Sequence, residues 1–208
     1  MGESQGGSGG YGKEKAVFMI RFISSNKHKY EEIKSMMENA GIEIQWINMK
    51  YEEIQEESID KISLDSANKL IKSIGENFFI EDSGIIIKDL QGFPGPYSSY
   101  VQKTIGNEGI LKLMEGRNRE ASFVTVVTYW NGARLHQFRG ETNGTIATSI
   151  FEGRNFGYDP IFIPEGFNET VSLIPISRKN EISQRGKAIR SFIKYLKDSG
   201  SEAKRDEI

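Results

Sequence analysis

The sequence predicts a mixed-sheet α/β fold in a single domain. Three observations carry that reading. Apolar residues switch between alternating and helical spacing along the chain. Strand-like and helix-like segments interleave at both ends, with hairpin-like segments between them. The 208 residues, at about 150 per domain, leave room for one domain or two, and no internal repeat divides them. Folding at this length buries about 70% of the extended surface, enough for a self-sufficient core.

Residues 1–18 read as a flexible leader or tag-like segment, because six of the 22 glycines precede Lys13 and little apolar area is there to bury. Val17–Ser24 is a short apolar run suited to a buried strand. Asn26 then opens a stripe of Tyr30, Ile33, Met36, Met37 and Ala40 at a spacing near 3.6, which predicts a helix stopped by Gly41. Ile42–Met49 alternates like a strand, and Ile59–Ile74 returns to helical spacing. Asn77–Glu81 and Ile85–Leu90 predict two short strands around an acidic break. Gly106–Glu115 predicts a helix. Ala121–Tyr129 is β-branched and aromatic, and Asn131-Gly132 turns it into Leu135–Phe138 as a hairpin. A last helix starts near Asn180 or Ser183 and faces Ile182, Ile189, Phe192, Ile193 and Leu196 inward. Residues 199–208 read as a frayed tail, which leaves 19–198 as the domain.

Composition narrows the function classes. The 27 Lys and Arg against 29 Asp and Glu give a net charge of −2, which argues against coating a nucleic-acid polymer. A local group of cations for one anionic ligand stays open. The chain has no cysteine, so disulfides, thiolate zinc sites and cysteine nucleophiles are excluded, and a reducing cytoplasmic setting fits. No run of about 18 apolar residues predicts a membrane span.

Five segments carry chemistry. Ser24-Ser25-Asn26-Lys27-His28-Lys29 lies at a strand-to-helix junction, where unpaired N–H groups and the positive helix end suit an anion. The other reading is an ordinary capped helix with surface lysines. Phe78-Phe79-Ile80-Glu81-Asp82-Ser83-Gly84 sets two acids in an apolar run. Strand neighbours point to opposite faces, so one acid reaching a cleft needs a distant partner such as Glu53. Such hard oxygen donors suit Mg²⁺, and a plain turn competes with that reading. Gly92-Phe93-Pro94-Gly95-Pro96-Tyr97-Ser98-Ser99-Tyr100 reads as a stiff loop. In Asn155-Phe156-Gly157-Tyr158-Asp159-Pro160 two aromatics flank a glycine, a platform for a planar base with a carboxylate at its edge, or else a turn with two core aromatics. Lys179-Asn180-Glu181-Ile182-Ser183-Gln184-Arg185 brings donors to the last helix, for ring oxygens or phosphates, or as a routine helix start.

Taken together, in this order and spacing, these segments resemble the inosine triphosphate pyrophosphatase family from Ile20 to Leu196, and Pro-Tyr-Ser-Ser-Tyr-Val is closest to archaeal members. The resemblance implies a two-lobed α/β fold with a cleft over a long mixed sheet, a homodimer, and a Mg²⁺-dependent hydrolase. The implied reaction cuts ITP, dITP or XTP between the α and β phosphates and so cleanses the nucleotide pool. By position, the resemblance gives Ser24, Ser25, Asn26, Lys27, His28 and Lys29 to the triphosphate. It gives Glu53 and Asp82 to the metal, Asp82 to proton acceptance and Ser83 to substrate contact. Phe156, Gly157, Tyr158, Asp159, Lys179, Gln184 and Arg185 fall to the base pocket.

One departure stands out. Family members usually read Ser-His-Arg where this chain has Ser183-Gln184-Arg185. Arginine only donates and so favours an oxo group at purine C6, whereas a glutamine amide can flip and accept, which bears on strictness against ATP. Two alternatives stand beside this reading. A Maf-like pyrophosphatase of modified pyrimidine nucleotides opens on a similar signature, but the Phe156–Pro160 and Ser183–Arg185 blocks point to the purine family. A non-catalytic nucleotide-binding module gains nothing from unneutralised carboxylates at Glu53 and Asp82.

Overall fold

The computed structural model describes residues 19–153 and 156–202, with side chains through Ser199. The expected leader, Asn155 and residues 203–208 of the expected tail lie outside the described residues. Strand β1 (Ile20–Ile23) runs into α1 (Lys27–Asn39), and the Asn26 side chain caps α1 by accepting from the N–H groups of His28 and Lys29. The helix ends at Ala40, and Gly41 follows in the left-handed region at φ 77°. Strand β2 (Ile44–Ile47) returns parallel to β1. Helix α2 (Ile59–Ile74) is capped by Ser58 and stopped by Gly75.

The acidic break is no break. Glu81 to Gly84 continue one ten-residue strand, β3 (Phe78–Ile87), paired residue by residue with β5 (Glu120–Trp130) from Phe78↔Trp130 to Ile87↔Ala121. Local propensity favours a turn there, but a full antiparallel ladder and ion pairs to Glu81 override it. The predicted hairpin forms, and its second arm is longer than expected. Strand β6 (Leu135–Ile146) runs to Ile146 because its exposed polar residues alternate with buried ones against β5. The stiff Gly92–Tyr100 segment holds the short strand β4 (Pro94–Gly95) and the first turn of α3 (Ser98–Thr104), followed by α4 (Gly106–Leu113). Strand β7 (Phe162–Pro164) closes the sheet. The last helix divides at Ser183, whose ψ of 155° is extended, into α5 (Ile176–Ile182) and α6 (Gln184–Glu202). Helix α6 therefore reaches four residues into the segment expected to fray.

The seven strands form one mixed sheet in the order β2-β1-β3-β5-β6-β7, with β4 also on β3. Helices α1 and α6 cover Phe22, Phe79, Val127 and Tyr129 on one face. Toward the other end of β3, Ile85 and Ile87 join a core with Val101, Ile110 and Met114 from the α3–α4 region. Helix α2 covers the opposite face over Ile23, Phe78 and Ile80. Two features follow for the middle of β3. Its outer edge pairs with β1 only at Phe78 and Phe79 and with β4 only at Ile85 and Ile86, so residues 80–84 face an opening in the sheet. Above them, the helical cover passes from α1 and α6 to α3 and α4.

Candidate active site

Every sequence-predicted site residue except His28 lines one pocket of about 1190 Å³ at that opening. His28 is exposed beside it, its ring 5.1 Å from that of Phe156. Strand β1 delivers Ser24 to the pocket, and the start of α1 delivers Lys29. The Ser24–Lys29 turn differs in detail from the expected anion site. Asn26 Oδ1 takes the N–H groups of His28 and Lys29, and Ser24 Oγ takes that of Asn26 at 3.1 Å. Beyond these bonds the turn offers the Ser24 and Ser25 hydroxyls and two lysines, of which Lys29 is already paired with Glu81.

Alternation along β3 separates the adjacent acids, as the strand period requires. Glu81 points to the α1/α6 side and is wholly buried. Its Oε1 accepts from Ser83 Oγ and from Arg185 Nε at 3.2 Å, while Lys29 Nζ lies 2.7 Å from Oε2. Lys29 also donates to the Glu81 carbonyl at 2.9 Å, satisfying backbone at the open edge. Burial alone would raise the Glu81 pKa, yet the Lys29 and Arg185 charges hold it to about 2.

Asp82 points to the α2 side. Tyr51 donates to its Oδ1 at 3.1 Å, and its Oδ2 is buried with no hydrogen-bond partner of ordinary geometry among the described residues. Burial pushes the Asp82 carboxyl up to about 6 against the opposing pull of Lys29 and of the nearby Ser63 hydroxyl, with Glu53 and Glu81 adding to the rise. The Tyr51 hydroxyl is itself raised well above its usual range by burial and by Asp82, so it stays a donor. Glu53 is exposed on the same pocket wall.

At the other end, Phe156 is half-buried with Lys179 Nζ 5.7 Å and the Arg185 guanidinium 5.8 Å from its ring centre. The two aromatics of this motif part company. Tyr158 belongs to the core, its hydroxyl donating to the Ser98 carbonyl at 2.7 Å, so the platform rests on Phe156 alone. Asp159 is not a free reader of a base edge. Its Oδ2 accepts from Lys179 at 2.7 Å, and burial raises its pKa. Lys179 also meets Glu32 at 2.6 Å, and Arg185 meets Glu32 as well. Gln184 lines the pocket half-buried, and its side chain makes no hydrogen bond to a described residue.

Sequence reasoning missed three participants. Glu32 stands three residues after Lys29 on the same face of α1, a spacing that would have flagged it. Tyr51 was an isolated aromatic before two acids. Glu81 carries no role that its sequence neighbours point to, and only the packing of α6 over β3 reveals its partners.

Residues that could hold a divalent cation are few. Among the described residues no group of three or more His, Cys, Asp or Glu forms a cage. The donor set of Asp82 Oδ2, unpartnered in a buried setting, and Glu53 nearby fits an ion that takes most of its ligands from phosphate and water.

Fold and site together define a mixed α/β protein whose pocket joins a serine- and lysine-edged strand-to-helix turn, a buried carboxylate and an aromatic wall edged by cations. The Ham1 family model matches residues 20–195. The chain is 43% identical over 181 residues to the dITP/XTP pyrophosphatase of Thermococcus kodakarensis, covering 86% of this chain and 98% of that protein. It is 45% identical over 182 residues to the dITP/XTP pyrophosphatase of Korarchaeum cryptofilum, covering 87% and 97%. A solved HAM1 protein from Coxiella burnetii matches with a TM-score of 0.74 at 25% identity, covering 86% of this chain and all of that one. The chain belongs to the Ham1 family.

Proposed function

We propose that this chain hydrolyses the non-canonical purine nucleoside triphosphates ITP, dITP and XTP at the α–β phosphoanhydride, giving the monophosphate and pyrophosphate. The observation that carries the reading is a single pocket uniting the Ser24–Lys29 turn, Asp82 and the Phe156–Arg185 wall. Its likeness to dITP/XTP pyrophosphatases over nearly their whole length supports the same chemistry.

The geometry supports the following roles. Ser24, Ser25, Lys27 and Lys29 bind the triphosphate as donors. Asp82 accepts the proton of the attacking water through its carboxylate, while Tyr51 orients the group through Oδ1. Burial raises the Asp82 carboxyl to about 6 in the metal-free protein, which favours it as a proton acceptor. Asp82 and Glu53 would hold Mg²⁺, which when bound supplies charge neutralisation on the phosphate oxygens. Ser83 contacts substrate from the same strand.

The purine lies against Phe156, and Lys179 and Arg185 present donors to its oxo edge. An adenine amino group there leaves a donor facing donors, at a cost of about 1–3 kcal/mol, or about 5- to 150-fold. Gln184 can supply either polarity, so rejection of ATP rests on the two cations. The family resemblance also supports a homodimer working in the cytoplasm.

Pyrophosphate release from ITP, dITP, XTP, dTTP and ATP, with and without Mg²⁺, tests the proposal. Fast metal-dependent release from the first three is expected. Preference for dTTP would favour a pyrimidine enzyme, and no release from any substrate would favour a binding module.

A further inference from the structure

The mechanism above uses Lys29 for the triphosphate and Arg185 for the base, yet the two meet on one residue to which it gives no role. Glu81 is wholly buried in the middle of β3 and divides its carboxylate between them. Oε2 faces the Lys29 ammonium at 2.7 Å; Oε1 takes Arg185 Nε at 3.2 Å together with the Ser83 hydroxyl. A buried carboxylate is costly unless paired and hydrogen-bonded, so its partners are not independent of one another. We propose that Glu81 is a positioning residue that couples recognition of the triphosphate to recognition of the base.

The sign of the coupling follows from the charges. When Lys29 turns toward phosphate, Glu81 loses one neutralising partner and keeps Arg185 and Ser83. With fewer competitors in a low-dielectric setting, the remaining ion pair strengthens. Arg185 is then held more firmly in one plane between Glu81 and Glu32, over the Phe156 ring. A purine that accepts from this guanidinium meets a pre-set donor and loses less freedom on binding. By linkage, a correct base favours capture of the triphosphate by the same factor. An adenine, which gives Arg185 no acceptor at C6, gains nothing from the arrangement.

This inference rests on the proposed function, and the test separates the two by splitting the substrate. Inosine and inorganic triphosphate are titrated into the whole protein by calorimetry, each alone and each in the presence of the other. The expected result is that inosine binds about 5-fold or more tighter with triphosphate present, within the usual range for coupled sites. In Glu81→Gln that enhancement should fall below about 2-fold, with Glu81→Asp retaining part of it. If Glu81→Gln does not fold, Lys29→Gln removes the same link while leaving Arg185 to neutralise Glu81; with triphosphate raised until its own titration shows the variant saturated, the same loss of enhancement is expected. A structural role alone would weaken each ligand separately and leave the ratio intact. Additive binding in the unaltered protein, or an enhancement that survives these variants, would overturn the coupling. Failure of both ligands to bind would overturn the proposed function and the coupling with it.

Discussion

Glu81 and Asp82 are neighbours with opposite electrostatics, and each predicts a different pH response. Burial raises Asp82 to about 6, above its usual 3.8. A carboxyl raised in the folded state stabilises the fold below its unfolded pKa, and that contribution is lost as pH rises through about 6. Asp82→Asn, neutral throughout, should therefore be more stable than the parent at pH 8 without divalent metal, by about 2–3 kcal/mol. The gain should vanish near pH 4. Urea melts at the two pH values check this, and turnover should fall by about 100-fold or more as the base is lost. Glu81 runs the other way. Held to about 2 from 4.5, it contributes stability above pH 4.5 that is lost as pH falls through 2. Glu81→Gln takes the carboxylate from Lys29 and leaves Arg185 with Glu32 alone, so a loss of about 3 kcal/mol at pH 7 is expected in the same melts.

The elements matter here through where they stop. Strand β1 ends just before the Ser24–Asn26 turn, and its short pairing with β3 opens the sheet edge at Glu81 and Asp82. The break at Ser183 turns α6 so that its first residues, Gln184 and Arg185, face the pocket. That first turn lies directly on β6. A Cβ added at Gly140 would sit 2.0 Å from the Gln184 carbonyl oxygen and 2.7 Å from the Ala188 nitrogen. Gly140→Ala must lift the start of α6, because backbone on both sides cannot yield locally. Overpacking of this kind costs about 1–3 kcal/mol. A lowered Tm and a raised KM for ITP, with the Asp82 side chain left in place, are the expected outcomes. The middle of β3 supplies a companion case. A Cβ at Gly84 would meet the Gly95 carbonyl at 2.3 Å and Ile59 at 2.8 Å, so Gly84→Ala should detach β4 and α2 together, with a similar fall in Tm.

At the scale of the whole molecule, the pocket is an assembly of chain segments far apart in sequence, from Ser24 to Arg185, drawn to one opening in one sheet. A bound ligand should therefore tie together elements that otherwise open separately. A non-hydrolysable ITP analogue with Mg²⁺ at 100 times its Kd should add about 2.7 kcal/mol to stability. Hydrogen exchange should slow together at the start of α1, at residues 49–53, at 156–159 and at the start of α6. The Asn131–Arg134 turn at the far end of the β5–β6 hairpin should not change.

Much of this was legible from residues alone. Periodicity found α1, α2, β5 and the hairpin, because an amphipathic stripe or an alternating run reflects burial that is nearly the same in any compact arrangement. Order and spacing of the five segments pointed to the family, and the family model spans the same stretch. The sequence could also say that Glu81 and Asp82 point apart, since strand alternation is a local property. It could not say that β3 runs unbroken through both acids, because that depends on a ladder with β5 about forty residues away. Nor could it show that Tyr158 goes to the core and Phe156 to the pocket, or that Asp159, Lys179, Glu32, Arg185, Glu81 and Lys29 share one buried charge network. Which charges neutralise one another is a matter of distance and dielectric, and both exist only once the helices have closed over the sheet.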